Sequence, residues 1–264
     1  MATSSTTASP SVTSGSVVIK SPPFDAPWDW LAAGWRDLWT VPHISLTYGA
    51  AFSIGAVVML MGFVTFGLQS VMMVLSAGFM LIGPLVAVGL YEVSRKLEKG
   101  EPVAFSDVMF AGFRAPGQLG FLGAILVFAF FVWVQLALLL FMLFMGSGST
   151  FPPAREFVPT LLFTQHGLSL LVVGTAVGAV LAAVVFSISA VSVPLLMTRR
   201  LDAVTAIQAS VSAVMKNPKP MVLWAALIAG FIACGVATLL VGLIIAFPLI
   251  GHATWHAYRD LVQD

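Results

Sequence analysis

Two histidines near the end of the sequence have the residue type and the spacing that best suit chemistry. His252 and His256 are four residues apart in GHATWHAYRDL, so on a helix they share one face. Such a pair can hold a metal ion or present a ligand to haem, and His43 could approach from the same side of the membrane. No Glu follows His252 as the HExxH zinc motif requires. We therefore favour an interfacial pair hydrogen-bonded to headgroups, water or a neighbouring helix.

A second pattern is charged. Glu92 and Arg95 are three residues apart, which predicts an ion pair on one helix face; a proton relay is the alternative. No acidic or basic residue is predicted at the bilayer midplane, where ion- and proton-coupled transporters usually keep one. Gln135 is the one strongly polar side chain well inside its apolar stretch, and we expect it to hydrogen-bond across to another helix.

Three prolines, Pro84, Pro194 and Pro248, lie within apolar stretches. A proline inside a helix frees backbone groups, and the broken helices of transporters bind substrates through such groups. We favour packing kinks. The sequence has no glycine-rich phosphate loop, nucleophile elbow or HExxH motif, so we predict a protein that is not an enzyme and has no cofactor.

The composition is that of an integral membrane protein. Apolar residues make up 59% of the 264 and charged residues 9%, against about 25% charged in an ordinary soluble domain. The mean hydropathy is +1.01, and the apolar runs are long enough to cross about 30 Å of hydrocarbon. A net charge of +1 provides no basic field for nucleic acid.

The apolar stretches define the expected fold. They cover about residues 44–66, 71–91, 119–145, 168–197 and 221–255. The last is long enough for one helix or for two with a turn near Val241-Gly242, and we predict two. The fold class is therefore an all-α membrane bundle of six transmembrane helices arranged as three hairpins.

An internal repeat supports the two-helix interpretation. GFMLIGPLVAVGLYEVSRKL (78–97) aligns without a gap with GLIIAFPLIGHATWHAYRDL (242–261), so that Pro84 matches Pro248 and Arg95 matches Arg259. A weaker third copy contains Pro194. We predict pseudo-repeats over about 27–97, 104–200 and 201–262, after a disordered Ser/Thr-rich tail at 1–23.

A short amphipathic helix is predicted before each hairpin. In the first, Trp28, Leu31, Trp35 and Leu38 or Trp39 share one face, away from Asp37. Tryptophans at this place anchor at lipid headgroups; a helix that binds a groove of a soluble partner is the competing interpretation. In the third, Asp202 is the predicted N-cap, and the apolar face consists of Val204, Ile207, Val211 and Val214.

The basic residues predict the orientation. With six spans, all of the twelve Lys and Arg except Arg155 fall on the side of the N-terminus. By the positive-inside rule that side is cytoplasmic. We therefore expect a multi-pass protein of a bacterial inner membrane with both termini in the cytoplasm.

The segments SVPLLMTRRLDAVTAIQASVSAVMKNPKPMVLWAALI, WLAAGWRDLW and PLVAVGLYEVSRKLEKGE, together with GHATWHAYRDL, resemble an uncharacterised family of bacterial integral membrane proteins, domain of unknown function 2189. The resemblance covers about residues 27–262. Members are sometimes labelled cytochrome c oxidase subunits. The resemblance implies no established activity and no catalytic residues. A haem–copper catalytic subunit needs more ligating histidines than the four present.

Three functions stay open at this point. The first is an accessory or assembly factor for a membrane complex such as a respiratory oxidase, which we prefer. The second is a transporter or channel for a neutral or lipid-like solute. The third is a haem- or metal-binding redox protein using His252 and His256. The expected partners are the lipid bilayer and either oxidase subunits or a second copy of the chain.

Overall fold

The computed structural model describes residues 17–68, 71–146 and 154–263, and helices dominate all three ranges. The all-α fold is thus confirmed. In chain order the helices are α1 (Ala26–Thr40), α2 (Pro42–Thr65), α3 (Met72–Phe79), α4 (Gly83–Val86), α5 (Val88–Glu98), α6 (Phe105–Phe110), α7 (Pro116–Met145), α8 (Ala154–Phe163), α9 (Gln165–Ser189), α10 (Ser192–Thr198), α11 (Ala203–Lys216), α12 (Pro218–Ala237) and α13 (Leu243–Leu261). Two 3₁₀ turns, Met80–Ile82 and Ala111–Arg114, precede α4 and α7.

Five helical segments within the described ranges are long and apolar enough to cross a membrane. They are Pro42–Thr65, Val74–Glu98, Pro116–Met145, Gln165–Thr198 and Pro218–Ala237. Helix α13 is not among them, because histidines and the Arg259-Asp260 pair make it less apolar. The sixth span therefore stays a prediction, although the last apolar stretch does divide into α12 and α13 as expected.

The turn between α12 and α13 spans residues 238–242, close to the predicted Val241-Gly242. Leu239 and Leu240 adopt left-handed backbone conformations there, with φ of 55° and 70°, which side chains with a Cβ rarely adopt. The Ser53 hydroxyl of α2 donates a hydrogen bond of 2.8 Å to the Leu240 carbonyl. The turn is thus held against the first span.

The three prolines have different local effects. Pro84 lies in the first turn of α4 and Pro194 in the first turn of α10, where a missing N–H costs no helical bond. Pro248 lies inside the continuous α13, so the carbonyl of Ile244 has no N–H donor four residues later. That carbonyl faces Gly49 of α2. The helix is thus interrupted next to Pro84 and Pro194, as the broken-helix alternative requires, whereas α13 is continuous at Pro248.

The core is concentrated at one end of the bundle. There α1 and α2 pack against α13, and α5 lies beside them. Large side chains from these helices and from α12 are almost fully buried: Trp30, Leu38, Leu90, Trp224, Trp255 and Tyr258.

The two described ends of the chain meet at this same end. The Lys20 N–H donates to the Leu261 carbonyl over 2.8 Å, and the Gln263 N–H donates to the Val18 carbonyl over 3.0 Å. The Asn217 amide binds the Lys20 carbonyl at 3.0 Å. Residues 17–23 are therefore ordered by pairing, and the predicted disordered tail does not hold for them; residues 1–16 lie outside the described ranges. Two described chain ends on the same side of the membrane favour an even number of membrane crossings.

Two of the amphipathic helices use their faces differently from the prediction. In α1, Leu31 and Leu38 turn to the core, whereas Trp28, Trp35 and Trp39 are exposed on a neighbouring stripe. The reason is that α1 comes closest to α13 at Gly34, which has no side chain. The buried face of α1 is therefore centred on Gly34.

In α11 the buried face consists of small residues, Ala203, Ala206, Ala209, Ser210 and Ala213. Val204, from the predicted apolar face, is exposed. Small side chains permit the close approach of α11 to α9 and α10, whereas Ile207 and Val214 of the predicted face are only partly buried against the core. The predicted N-cap is correct, because Asp202 Oδ1 accepts from the Thr205 N–H at 2.9 Å.

Candidate functional site

The candidate site is a chain of polar side chains buried where α1, α2, α5 and α13 converge. Glycines allow the helices to approach closely enough. A Cβ on Gly34 would lie 2.6 Å from the Ala253 backbone nitrogen, and one on Gly251 would lie 2.5 Å from Leu90. This close packing brings side chains far apart in the sequence within hydrogen-bonding distance.

His252 is at the centre of this buried network. Its Nε2 lies 2.9 Å from Ser45 Oγ and its Nδ1 lies 2.8 Å from Ser94 Oγ. Ser94 Oγ also lies 2.6 Å from Asp37 Oδ2, and His256 Nε2 lies 2.8 Å from the same carboxylate oxygen. Ser45, Ser94 and His252 are fully buried, whereas Asp37 and His256 are part-exposed. We call these five residues the histidine network.

The direction of each hydrogen bond follows from the carboxylate. Asp37 can only accept, so the Ser94 hydroxyl donates to it and accepts in turn from the Nδ1–H of His252. The other nitrogen of His252 then accepts from the Ser45 hydroxyl. Each hydrogen bond in this series is therefore donated in the direction of Asp37, and neutral His252 is the tautomer with its proton on Nδ1.

The order of groups is that of an activated nucleophile: a serine, a histidine base, and an orienting serine and acid. Ser45 is fully buried, however, so the packing leaves a substrate no access to its hydroxyl. Metal or haem ligation also fits poorly, since both nitrogens of His252 are already bonded. The network holds four helices together, and this is the role that its geometry supports.

His43, the third predicted ligand, is exposed at the start of α2 and lies outside the histidine network. Within the described ranges no group of three or more His, Cys, Asp or Glu residues could hold a metal ion. His252 and His256 thus come together, but with Asp37 and Ser94 rather than with His43.

A second group of contacts fixes the end of α13. Trp255 Nε1 donates to Glu98 Oε2 at 2.9 Å, and Arg259 Nε donates to Glu98 Oε1 at 2.8 Å. On the other side, Trp30 Nε1 donates to Asp260 Oδ2 at 2.9 Å. Arg259, singled out by the repeat, therefore links α13 to the matching end of α5.

The predicted partners Glu92 and Arg95 do form an ion pair, in which Arg95 Nε and Nη2 contact the two Glu92 oxygens at 2.9 and 2.8 Å. Arg114 adds a third contact at 2.5 Å. Glu92 is almost completely buried, so two guanidinium groups compensate one buried carboxylate. An open cavity of about 300 Å³ lies beside Glu92, Asp107 and Arg114.

Sequence reasoning missed Ser45, Ser94 and Asp37. Asp37 lies beside Arg36 on an amphipathic helix, where an acidic residue normally faces solvent, and serines of this kind are common within apolar stretches. No local pattern distinguishes them. Only the packing of helices more than 150 positions apart brings them to His252.

The comparisons with known proteins concern the central part of the chain. Residues 71–198, from α3 to α10, match the model of a family described as "Predicted integral membrane protein (DUF2189)". No curated protein and no solved structure matches. The match includes Glu92, Ser94 and Arg114 but neither histidine of the network. Over these residues the chain matches the family indicated by the sequence resemblance, and it is an integral membrane protein.

Proposed function

We propose that this protein is a non-enzymatic accessory subunit or assembly factor of another membrane complex, such as a respiratory oxidase. The observation that carries the proposal is the contrast between a tightly closed polar interior and spans with bare apolar surfaces. In the most apolar windows of Pro116–Met145 and Gln165–Thr198, only 11% and 6% of the residues are buried. Spans so sparsely covered leave room for helices of another protein.

The polar interior, unlike these sparsely covered spans, is closed by contacts within the chain. The buried polar groups of the histidine network are paired with one another, and Glu92 is paired with two arginines. A substrate or ligand site would need unpaired polar groups directed at an open space. Charged groups do line the open cavity beside Glu92, but Arg114 is paired with Glu92 and Lys96 with Asp107. This supports a scaffold more than an enzyme.

We further propose that the membrane is a bacterial inner membrane and that both termini are cytoplasmic. The distribution of Lys and Arg supports this orientation. The pairing of Lys20 with Leu261 supports two ends on one side. The exposed stripe of Trp28, Trp35 and Trp39 then lies at the cytoplasmic headgroup layer, where amphipathic rings are favoured.

The test is an affinity purification of the tagged chain from native membranes in mild detergent, with partners identified by mass spectrometry. Two substitutions sharpen it. Val180→Trp alters the bare face of α9, where Val180 is 66% exposed, and Val58→Trp alters α2, where Val58 is 62% exposed. We expect oxidase subunits or their assembly factors in stoichiometric amounts, reduced in Val180→Trp and unchanged in Val58→Trp. Recovery of the chain without another protein would refute the proposal.

A second candidate function is supported by one observation, the interruption of the second span. Between α3 and α5 the helix passes through the 3₁₀ turn Met80–Ile82 and the short α4, as in transporters whose broken helices bind solutes. A transporter for a neutral or lipid-like solute would show solute-dependent thermal stabilisation. Absence of such stabilisation across amino acids, sugars and lipids would remove this candidate.

A further inference from the structure

One face of α7 carries exposed side chains at a regular spacing of seven residues. Phe121, Phe128, Gln135 and Met142 are all exposed and follow one another at this interval. A seven-residue repeat on one helix face is the pattern by which two helices pack in a left-handed crossing. We call these four residues the α7 seam.

The surface between the seam residues has the matching shape. A shallow groove of about 280 Å³ is framed by Phe128, Phe131, Val132 and Gln135, and continues past Leu136 and Leu139. Positions i, i+3, i+4 and i+7 are the four residues that form the hole for a knob of a facing helix. The groove therefore has the form that accepts one side chain of a neighbouring helix.

The helices of this chain pack on the opposite side of α7. Trp133 donates from its indole N–H to the Val74 carbonyl of α3 at 2.8 Å. A Cβ on Gly178 of α9 would lie 3.0 Å from the same indole ring. The seam is consequently left unoccupied by the described part of the chain.

The side chain of Gln135 makes an unoccupied α7 seam energetically unfavourable. It lies ten residues from the end of α7, or about 15 Å along the helix at 1.5 Å per residue, and thus within the hydrocarbon. No hydrogen bond within the described residues involves its amide. An unpaired amide in hydrocarbon is unfavourable, and such side chains hydrogen-bond across helices.

We propose that the α7 seam binds the α7 seam of a second copy of this chain, with the two Gln135 amides hydrogen-bonded to each other. Two copies insert with the same orientation, so a two-fold axis along the membrane normal places α7 parallel to its equivalent. Each seam residue then contacts the equivalent residue of the second copy. A primary amide is both donor and acceptor, so the pair satisfies itself without a third group. One polar residue in an apolar seam also fixes the register.

This inference does not depend on the proposed function, because the dimer forms whether or not another complex is bound. The test is cysteine cross-linking of the full chain in native membranes, in a Cys234→Ala background. Phe128→Cys and Met142→Cys each place one thiol in the seam and keep Gln135. Val127→Cys is the matched control, at the same depth and exposed, but about 100° around the helix.

We expect mild oxidation to yield a covalent dimer of the chain from Phe128→Cys and Met142→Cys, and not from Val127→Cys. Adding Gln135→Leu should lower the affinity of the dimer roughly tenfold, while Gln135→Asn, which keeps the amide, should retain most of the cross-linking. Monodisperse elution of each variant checks that it is folded. Equal cross-linking from Val127→Cys, cross-linking to a different protein, or an undiminished dimer with Gln135→Leu would overturn the proposal.

Discussion

Ser94 donates a hydrogen bond of 2.6 Å to Asp37, and this contact joins α5 to α1. The two residues are 57 positions apart, and the same serine accepts from His252 of α13. Removing either partner should therefore affect the packing of three helices at once.

Asp37→Ala should destabilise the protein by about 1–3 kcal/mol, because the Ser94 hydroxyl and the His256 imidazole both lose their acceptor. The measurement is the free energy of unfolding of the purified protein in detergent. Asp29→Ala, on the exposed side of the same helix, is the control and should change stability by less than about 0.5 kcal/mol. Equal effects of the two substitutions would mean that the network contributes nothing.

The two serines that flank His252 should act together. Ser45→Ala and Ser94→Ala each leave one nitrogen of a buried imidazole unpaired, at about 1–3 kcal/mol. Since Ser94 fixes the tautomer that Ser45 recognises, we expect a double-mutant cycle to give a coupling of at least about 0.5 kcal/mol. Ser187→Ala, on α9, provides a control with no coupling. Strict additivity of Ser45→Ala and Ser94→Ala would contradict the defined tautomer.

Two glycine substitutions should have opposite effects. A Cβ on Gly34 would lie 2.6 Å from a backbone nitrogen of α13, whereas a Cβ on Gly55 would meet nothing within 4 Å. Gly34→Ala should thus destabilise by about 1–3 kcal/mol through overpacking. Gly55→Ala should raise stability by up to about 1 kcal/mol through helix propensity. Thermal unfolding of both variants tests this, and a stabilising Gly34→Ala would show that α1 and α13 are farther apart.

The pH dependence of one surface pair can be predicted with its sign. The Lys96 ammonium, followed by the Ala104 N–H, lowers the pKa of Asp107 below its ordinary 3.8. The folded state therefore gains stability above this value and loses it as the pH falls through the lower pKa of the folded protein. Asp107→Asn should lower the melting temperature at pH 7, by the small amount typical of a part-exposed pair, and this difference should be smaller at a pH below 3.8. An equal difference at both pH values would contradict the ion pair.

The fold was accessible from the sequence largely because the bilayer simplifies the pattern. The beginning of α2, α7 and α12 at Pro42, Pro116 and Pro218 follows from the first-turn preference of proline, and the apolar runs set the lengths. The faces of α1 and α11 were harder, because glycine and alanine, rather than large apolar residues, mark the closest helix contacts in a membrane protein.

The candidate site was predictable only in part. The spacing of His252 and His256 indicated a shared face, and the spacing of Glu92 and Arg95 indicated their pairing. Ser94 and Asp37 could not be found, because the relation between them arises from tertiary packing and leaves no local signal. The same limit explains why His43 was expected near the pair and lies outside it.

The most direct test of the account is the amount of assembled oxidase in membranes of a strain that lacks this protein, measured by native gel and subunit mass spectrometry. The accessory proposal predicts a several-fold loss of the assembled complex, restored by the wild-type chain and by Val58→Trp but not by Val180→Trp. An unchanged amount of assembled complex in the deletion strain would contradict it.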